Sequence, residues 1–194
     1  MPARTADDQT IIGVVIAIPE PHAAVLRRWR RRVGDPQAGL VWPHVTLLPP
    51  TPVTRSHLDG VRDHLRDAAA DTEPFDMHLS GTGTFRPMSP VVFVQVAAGL
   101  ASCEVLERAI RRHPVKRELD FPYHPHVTVA HGVPEPALDE VYDGLAGFTA
   151  RFQVTSFQLF EQGPAGAWRQ LAEFRLRPNV VEQPDGSPAA AARR

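Results

Sequence analysis

Two short segments constrain this chain more than any other feature: Pro43-His44-Val45-Thr46-Leu47 and Pro125-His126-Val127-Thr128-Val129. Each begins at a proline, which biases the residue before it toward extended backbone. Each then runs into Val, Thr and Leu or Val, the composition of a buried strand. Side chains on a strand alternate faces, so His44 and Thr46 share one face, as do His126 and Thr128. The chain therefore carries two matched imidazole-plus-hydroxyl pairs, 82 positions apart. A fold that uses both must place two similar strands where their polar faces meet.

The rest of the sequence reads as two similar runs of elements around these strands. Ile11–Ile18 is β-branched and apolar on both faces, which predicts a central strand. Ala23–Val33 reads as a helix with Val25, Leu26, Trp29 and Val33 toward the core, and Arg27, Arg28, Arg30, Arg31 and Arg32 as a solvated face, with contact to an RNA tail as the sharper alternative. The first motif strand spans Leu40–Leu48 and closes at Pro49-Pro50. A helix over 55–70 follows, with Leu58, Val61 and Leu65 as its apolar stripe. Phe75–Leu79 and Pro90–Val96 read as strands flanking a Gly81-Thr-Gly83 bulge. Ser102–His113 reads as a helix with Val105, Leu106, Ala109 and Ile110 inward. After the second motif come a helix from Glu135 to Leu145 and strands over Phe148–Phe160 and Trp168–Leu176, joined in a hairpin-like connection. The order predicts an α+β fold of two pseudo-symmetric lobes, with mostly antiparallel central sheets and outer helices. Residues 1–10 are expected to be a flexible N-terminus, 11–177 one bilobal domain, and the Pro- and Ala-rich 178–194 a disordered tail.

Composition narrows the function classes. A formal net charge of −1 supplies no global field to gather long nucleic acid, while leaving room for a locally basic pocket. The single cysteine, Cys103, excludes an internal disulfide and fits a reducing compartment. No apolar run is long enough to span a bilayer, and the first residues lack the apolar region of a signal peptide, so a cytoplasmic protein with no membrane partner is expected. A monomer is the default.

Two histidines suit a reaction that needs an acid and a base near neutral pH. Two hydroxyls beside them suit the non-bridging oxygens of a phosphate. In this scheme no metal or other cofactor is required. These residues resemble the two-histidine (2H) phosphoesterase superfamily, whose mark is a pair of His-x-Thr/Ser motifs, each followed by an apolar residue. The branch most similar is that of the bacterial 2′-5′ RNA ligase-like proteins and RNA 2′,3′-cyclic phosphodiesterases, over roughly residues 10–176. The resemblance implies opening of a cyclic phosphodiester on an RNA end or small nucleotide, or the reverse 2′-5′ ligation. It makes His44, Thr46, His126 and Thr128 the catalytic set, with His126 read as base and His44 as acid. Arg86, and Lys116 or Arg117, are candidates for phosphate contact. Trp42, Phe85 and Tyr123 are candidates for stacking on a base, and His124 for lining the same face. Two other readings compete: a nucleotide- or RNA-end-binding module without turnover, and a zinc-dependent hydrolase using His124, His126 and His131 with His44.

Overall fold

The structure, a computed structural model, describes residues 8–163 and 166–177. The expected tail from 178, and residues 1–7 of the expected loose N-terminus, lie outside the described residues. The element order is β1 (Gln9–Ala17), α1 (His22–Arg32), β2 (His44–Thr54), α2 (Leu58–Ala70, after a 3-10 turn at Arg55–His57), β3 (Phe75–Thr84), β4 (Val91–Ala98), α3 (Leu100–Ile110), β5 (His126–His131), α4 (Glu135–Gly144), β6 (Thr149–Val154), β7 (Ser156–Gln162) and β8 (Trp168–Arg175). This is the expected α+β class. β1 begins at Gln9, two positions before the apolar run, and Thr10 is buried with its hydroxyl donating to Glu161 at 2.8 Å.

The eight strands form one sheet in the order β6-β3-β4-β5-β2-β1-β7-β8, and each neighbouring pair is antiparallel. The two motif strands, β2 and β5, meet at its centre. Strong curvature is forced by connectivity. Only Thr155 separates β6 from β7, yet they stand first and seventh in the sheet. Six strand spacings on a flat sheet would span about 29 Å, whereas the link across one residue reaches about 8 Å. The sheet therefore curls until its ends approach. Leu176 N–H donates to Thr155 O at 2.9 Å, and Arg177 N–H to Thr72 O at 3.1 Å, tying the end of β8 to the neighbourhood of β6 and β3.

The lobes are not the halves of the chain. α1 packs on β5, and its Trp29 and Arg32 reach α4 at Gly144 and Glu140, so a helix of the first half covers β3–β6 with α4. α2 and α3 pack together over β2 and β8. Each lobe thus mixes strands and helices from both halves.

Four local expectations change. The prolines do not close the first motif strand, which starts at His44 and continues through Pro49, Pro50 and Pro52 to Thr54. β5 pairs with β2 only at Val45↔Val127, so beyond that point one side of β2 has no strand partner among the described residues and its prolines cost no ladder hydrogen bond there. Phe148–Phe160 is two strands, parted at Thr155. Val105 is 54% exposed, while Cys103 and Leu106 take the inward positions. Arg30, read as part of a solvated face, is buried. Its Nε donates to Asp35 at 2.8 Å and its Nη1 to Val41 O at 3.1 Å, pinning the loop that leads into His44.

Candidate functional site

Alternation along β2 and β5 sorts the motif residues by face. Val45, Leu47, Val127 and Val129 are fully buried on the helix-covered face. His44, Thr46, His126 and Thr128 are half-buried on the opposite face. The antiparallel register Val45↔Val127, followed one step each way, sets His44 beside Thr128 and Thr46 beside His126. The histidines are diagonal neighbours, a relation of about 7–8 Å between strands. A twofold arrangement of two imidazoles and two hydroxyls results, and the sequence pattern required only that each pair share a face.

Both rings are held the same way. Nδ1 of His44 is 2.6 Å from Trp42 O, and Nδ1 of His126 is 2.8 Å from His124 O. A carbonyl can only accept, so each Nδ1 carries the proton and each Nε2 keeps its lone pair when the ring is neutral. Burial holds the pKa of His44 below the ordinary histidine value, and the charges of Arg30 and His126 act the same way, against the Trp42 bond. His126 is also lowered, first by burial and further by His124, against the bond to the His124 carbonyl.

The floor around the four residues differs on its two sides. Toward β1, Ala17 lies opposite His44 and Val15 opposite Thr46. These small side chains leave a cavity of about 680 Å³ lined by His44, Thr46, Trp42, Arg27, Arg31 and Trp168, among others. Toward β4, Phe93 lies opposite Thr128 and Gln95 opposite His126. Gly83 makes room there, because a Cβ on it would stand 2.5 Å from the Phe93 ring. Phe93 and Phe85 pack at a tilt of 35° with centroids 4.5 Å apart, and both flank His126, at 5.1 and 5.0 Å between centroids. The second cavity, of about 510 Å³, is lined by Thr46, His126, His124, Phe85, Tyr123 and Phe121, among others. Thr46 lines both, so the cavities meet over the motif strands.

The remaining predicted residues divide. Phe85, Tyr123 and His124 line the His126-side cavity, and Trp42 lines the His44-side cavity. The Tyr123 hydroxyl donates to Thr46 O at 3.0 Å, and burial raises its pKa, so it bonds the strand as a neutral phenol. The Trp42 indole N–H donates to Ile18 O at 3.0 Å. Arg86 lines neither cavity. Its guanidinium is taken up by Glu135 at 2.7 Å and Asp139 at 2.8 Å. Lys116 and Arg117 are likewise absent from both linings. Among the described residues no three His, Cys, Asp or Glu side chains converge as a metal-ligand set, so His44, His124, His126 and His131 do not form the cluster the zinc reading needs.

Sequence reasoning did not single out Trp168 or Phe93, and it read Arg27 and Arg31 as part of a solvated face with an RNA-tail contact as the alternative. Arg27 and Arg31 stand four apart on α1, a spacing that puts both on one side and was legible. Trp168 comes from a strand at the far end of the chain, and nothing local marks it.

Residues 18–165 match the 2'-5' RNA ligase superfamily. A Halalkalibacterium halodurans protein, BH1439, whose name assigns it provisionally to the phosphoesterases, is 28% identical over 169 residues, covering 84% of this chain and 96% of its own. E. coli LigT crystallised with 3'-AMP superposes with a TM-score of 0.69 at 20% identity, over 87% of this chain and 98% of LigT. TT0787 of Thermus thermophilus superposes at 0.59 and 24% identity, over 87% and 99%. The matched span contains both His-Val-Thr strands, and the fold carrying them is shared: the chain belongs to the 2'-5' RNA ligase superfamily of two-histidine phosphoesterases.

Proposed function

We propose that the protein opens a 2′,3′-cyclic or related cyclic phosphodiester, on an RNA end or small nucleotide, by metal-independent acid–base catalysis through His44 and His126. The observation that carries this reading is the diagonal pairing of the two rings about Val45↔Val127, each with Nδ1 fixed to a carbonyl and Nε2 left for chemistry. A phosphate lying between them has an imidazole on each side and the Thr46 and Thr128 hydroxyls beneath its non-bridging oxygens. The bound nucleotide of the LigT crystals supports a nucleotide in this groove.

In the reaction, water gives a proton to His126 Nε2 as its oxygen attacks phosphorus. The bond from phosphorus to one ribose oxygen breaks, and that oxygen takes a proton from His44. Water has added across one P–O bond, and the product is a phosphomonoester. Arg30 makes His44 the readier donor once protonated, since its charge disfavours the imidazolium, whereas no fixed cation lowers His126. The entering phosphate anion counteracts the lowering and allows one ring to hold the proton. The threonine donors stabilise the developing charge without moving.

The test is turnover of a 2′,3′-cyclic nucleotide, and of an RNA ending in a cyclic phosphate, with EDTA present. The wild type should open the ring, and His44→Ala and His126→Ala should each lose about 10²–10⁴-fold. Tight binding without turnover would favour the binding-module reading, and loss of wild-type activity on chelation would favour a metal.

A further inference from the structure

The two motif strands are joined at a single residue pair, Val45↔Val127. One step further, where a regular ladder would set Thr46 against His126, no strand pairing is present among the described residues. The residue before β5 is Pro125, which has no N–H to extend the ladder. β1 holds Thr46 from the other side, at Val15, so on the β5 side its peptide depends on something else. A side chain supplies the contact. Tyr123 Oη donates to Thr46 O at 3.0 Å, across 77 positions of sequence. The Tyr123 ring packs against the hydrophobic core, so its hydroxyl is carried by a fixed ring. Burial raises the phenol's pKa, so it remains a donor throughout the range in which histidines titrate.

The device is one-sided. Three residues before His44, where the first motif would need its own version, stands Val41, which has no hydroxyl and whose carbonyl accepts from Arg30. Thr128 is held instead within the β4–β5 ladder, opposite Phe93. The residue after Tyr123 serves the other half of the same corner, because His124 O accepts from Nδ1 of His126. Two adjacent residues thus fix Thr46 and His126, the hydroxyl and the imidazole that the register sets side by side. The Thr46 carbonyl and side chain share one Cα, and a β-branched side chain is stiff at χ1. Holding the peptide plane therefore holds the direction of the hydroxyl.

We propose that Tyr123 is a positioning residue for Thr46: its hydroxyl fixes the Thr46 peptide so that the threonine hydroxyl meets the phosphate beside His126. Tyr123 acts through Thr46 and not through Thr128, and its phenol oxygen does this without touching the substrate. This rests on the groove binding the phosphate, as proposed above, and deepens that reading by naming a group that sets its geometry.

The test is a pair of double-mutant cycles, Tyr123→Phe with Thr46→Val and Tyr123→Phe with Thr128→Val. Each is read as kcat and KM on a 2′,3′-cyclic nucleotide and as affinity for inorganic phosphate by calorimetry. Tyr123→Phe removes one oxygen and keeps the ring packed, so the fold and any stacking face on the cavity are retained. It should lower kcat about five- to tenfold, the scale of one hydrogen bond, and leave KM within about twofold. In the Thr46→Val background the same change should cost less than about twofold, because the group it positions is already gone. In the Thr128→Val background it should again cost about five- to tenfold, as independent sites do. Phosphate affinity should show the same pattern. An unchanged kcat in Tyr123→Phe, or losses that add with Thr46→Val, overturns the proposal. Equal coupling to both threonines overturns it too, since a general structural role would not distinguish them. Phosphate affinity coupled to Thr46 alone, with no cyclic-phosphate turnover, upholds the positioning role and removes the cyclic phosphodiesterase reading alone. A wild type that neither binds phosphate nor opens the ring overturns both.

Discussion

Arg30→Met tests whether the fold and the site are held at one point. The Arg30 side chain is 5% exposed and that of Asp35 0%, and they meet at 2.8 Å. Asp35 also accepts from Gln37 N–H at 2.8 Å, and Arg30 donates to Val41 O, so the pair ties α1 to the loop before His44. Exposed ion pairs contribute about 0–1 kcal/mol. Removing one partner from a buried pair costs about 3–5 kcal/mol, because the remaining charge is left uncompensated. Methionine keeps much of the volume, so cavity formation adds little. The expected loss is therefore about 3–5 kcal/mol, a fall in Tm on the order of 10 °C. Urea unfolding should show a lower midpoint at unchanged slope. Arg30→Met/Asp35→Leu, which removes both charges, should recover part of the loss. The site should respond too. His44 keeps its burial but loses a neighbouring cation, so its pKa should rise toward the ordinary value and its limb of the pH–rate profile should move up. A loss under about 1 kcal/mol together with an unmoved profile would refute the reasoning.

Three further outcomes follow from the same geometry. Both histidines are lowered in the folded protein, so kcat/KM, which reports the free enzyme, should peak below pH 6.5, and kcat should peak higher because bound phosphate raises the pair. The stability sign follows from the same shifts: as pH falls through the ordinary histidine value the unfolded chain takes up protons first, so these two residues should make unfolding progressively easier below about pH 6.5, an effect absent in His44→Gln/His126→Gln. Gly83→Ala drives a methyl toward the Phe93 ring, which cannot turn without disturbing Phe85 and His126. A stability loss of about 1–3 kcal/mol by urea unfolding is expected, with a fall in turnover, and full activity at wild-type stability would contradict the packing role.

Much of the site was legible because it is written in a local code. The histidine and threonine of each motif are two residues apart, and strand alternation alone puts them on one face. The apolar runs of β1, β2 and β4 announced a sheet, and helical spacing announced α1 and α2. What the sequence left open depends on contacts between distant segments. No local pattern shows that α1 covers the lobe built on β5, or that one residue at Thr155 joins strands from opposite ends of the sheet. Proline reads as a strand end until the structure shows that, among the described residues, one side of β2 has no strand partner beyond Val45. Arg30 and Arg31 are adjacent arginines in one helix, and only packing against Asp35 and Val41 buries the first while the second stays at the groove. Arg86 looks poised for phosphate beside its glycines, and two carboxylates of α4 take its charge. The sequence by itself determined which polar side chains of each motif share a face, because periodicity is a property of neighbours along the chain. The tertiary structure decided how the pairs face each other, what surrounds them and which charges remain free, because register, burial and ion pairing are settled between segments far apart in sequence.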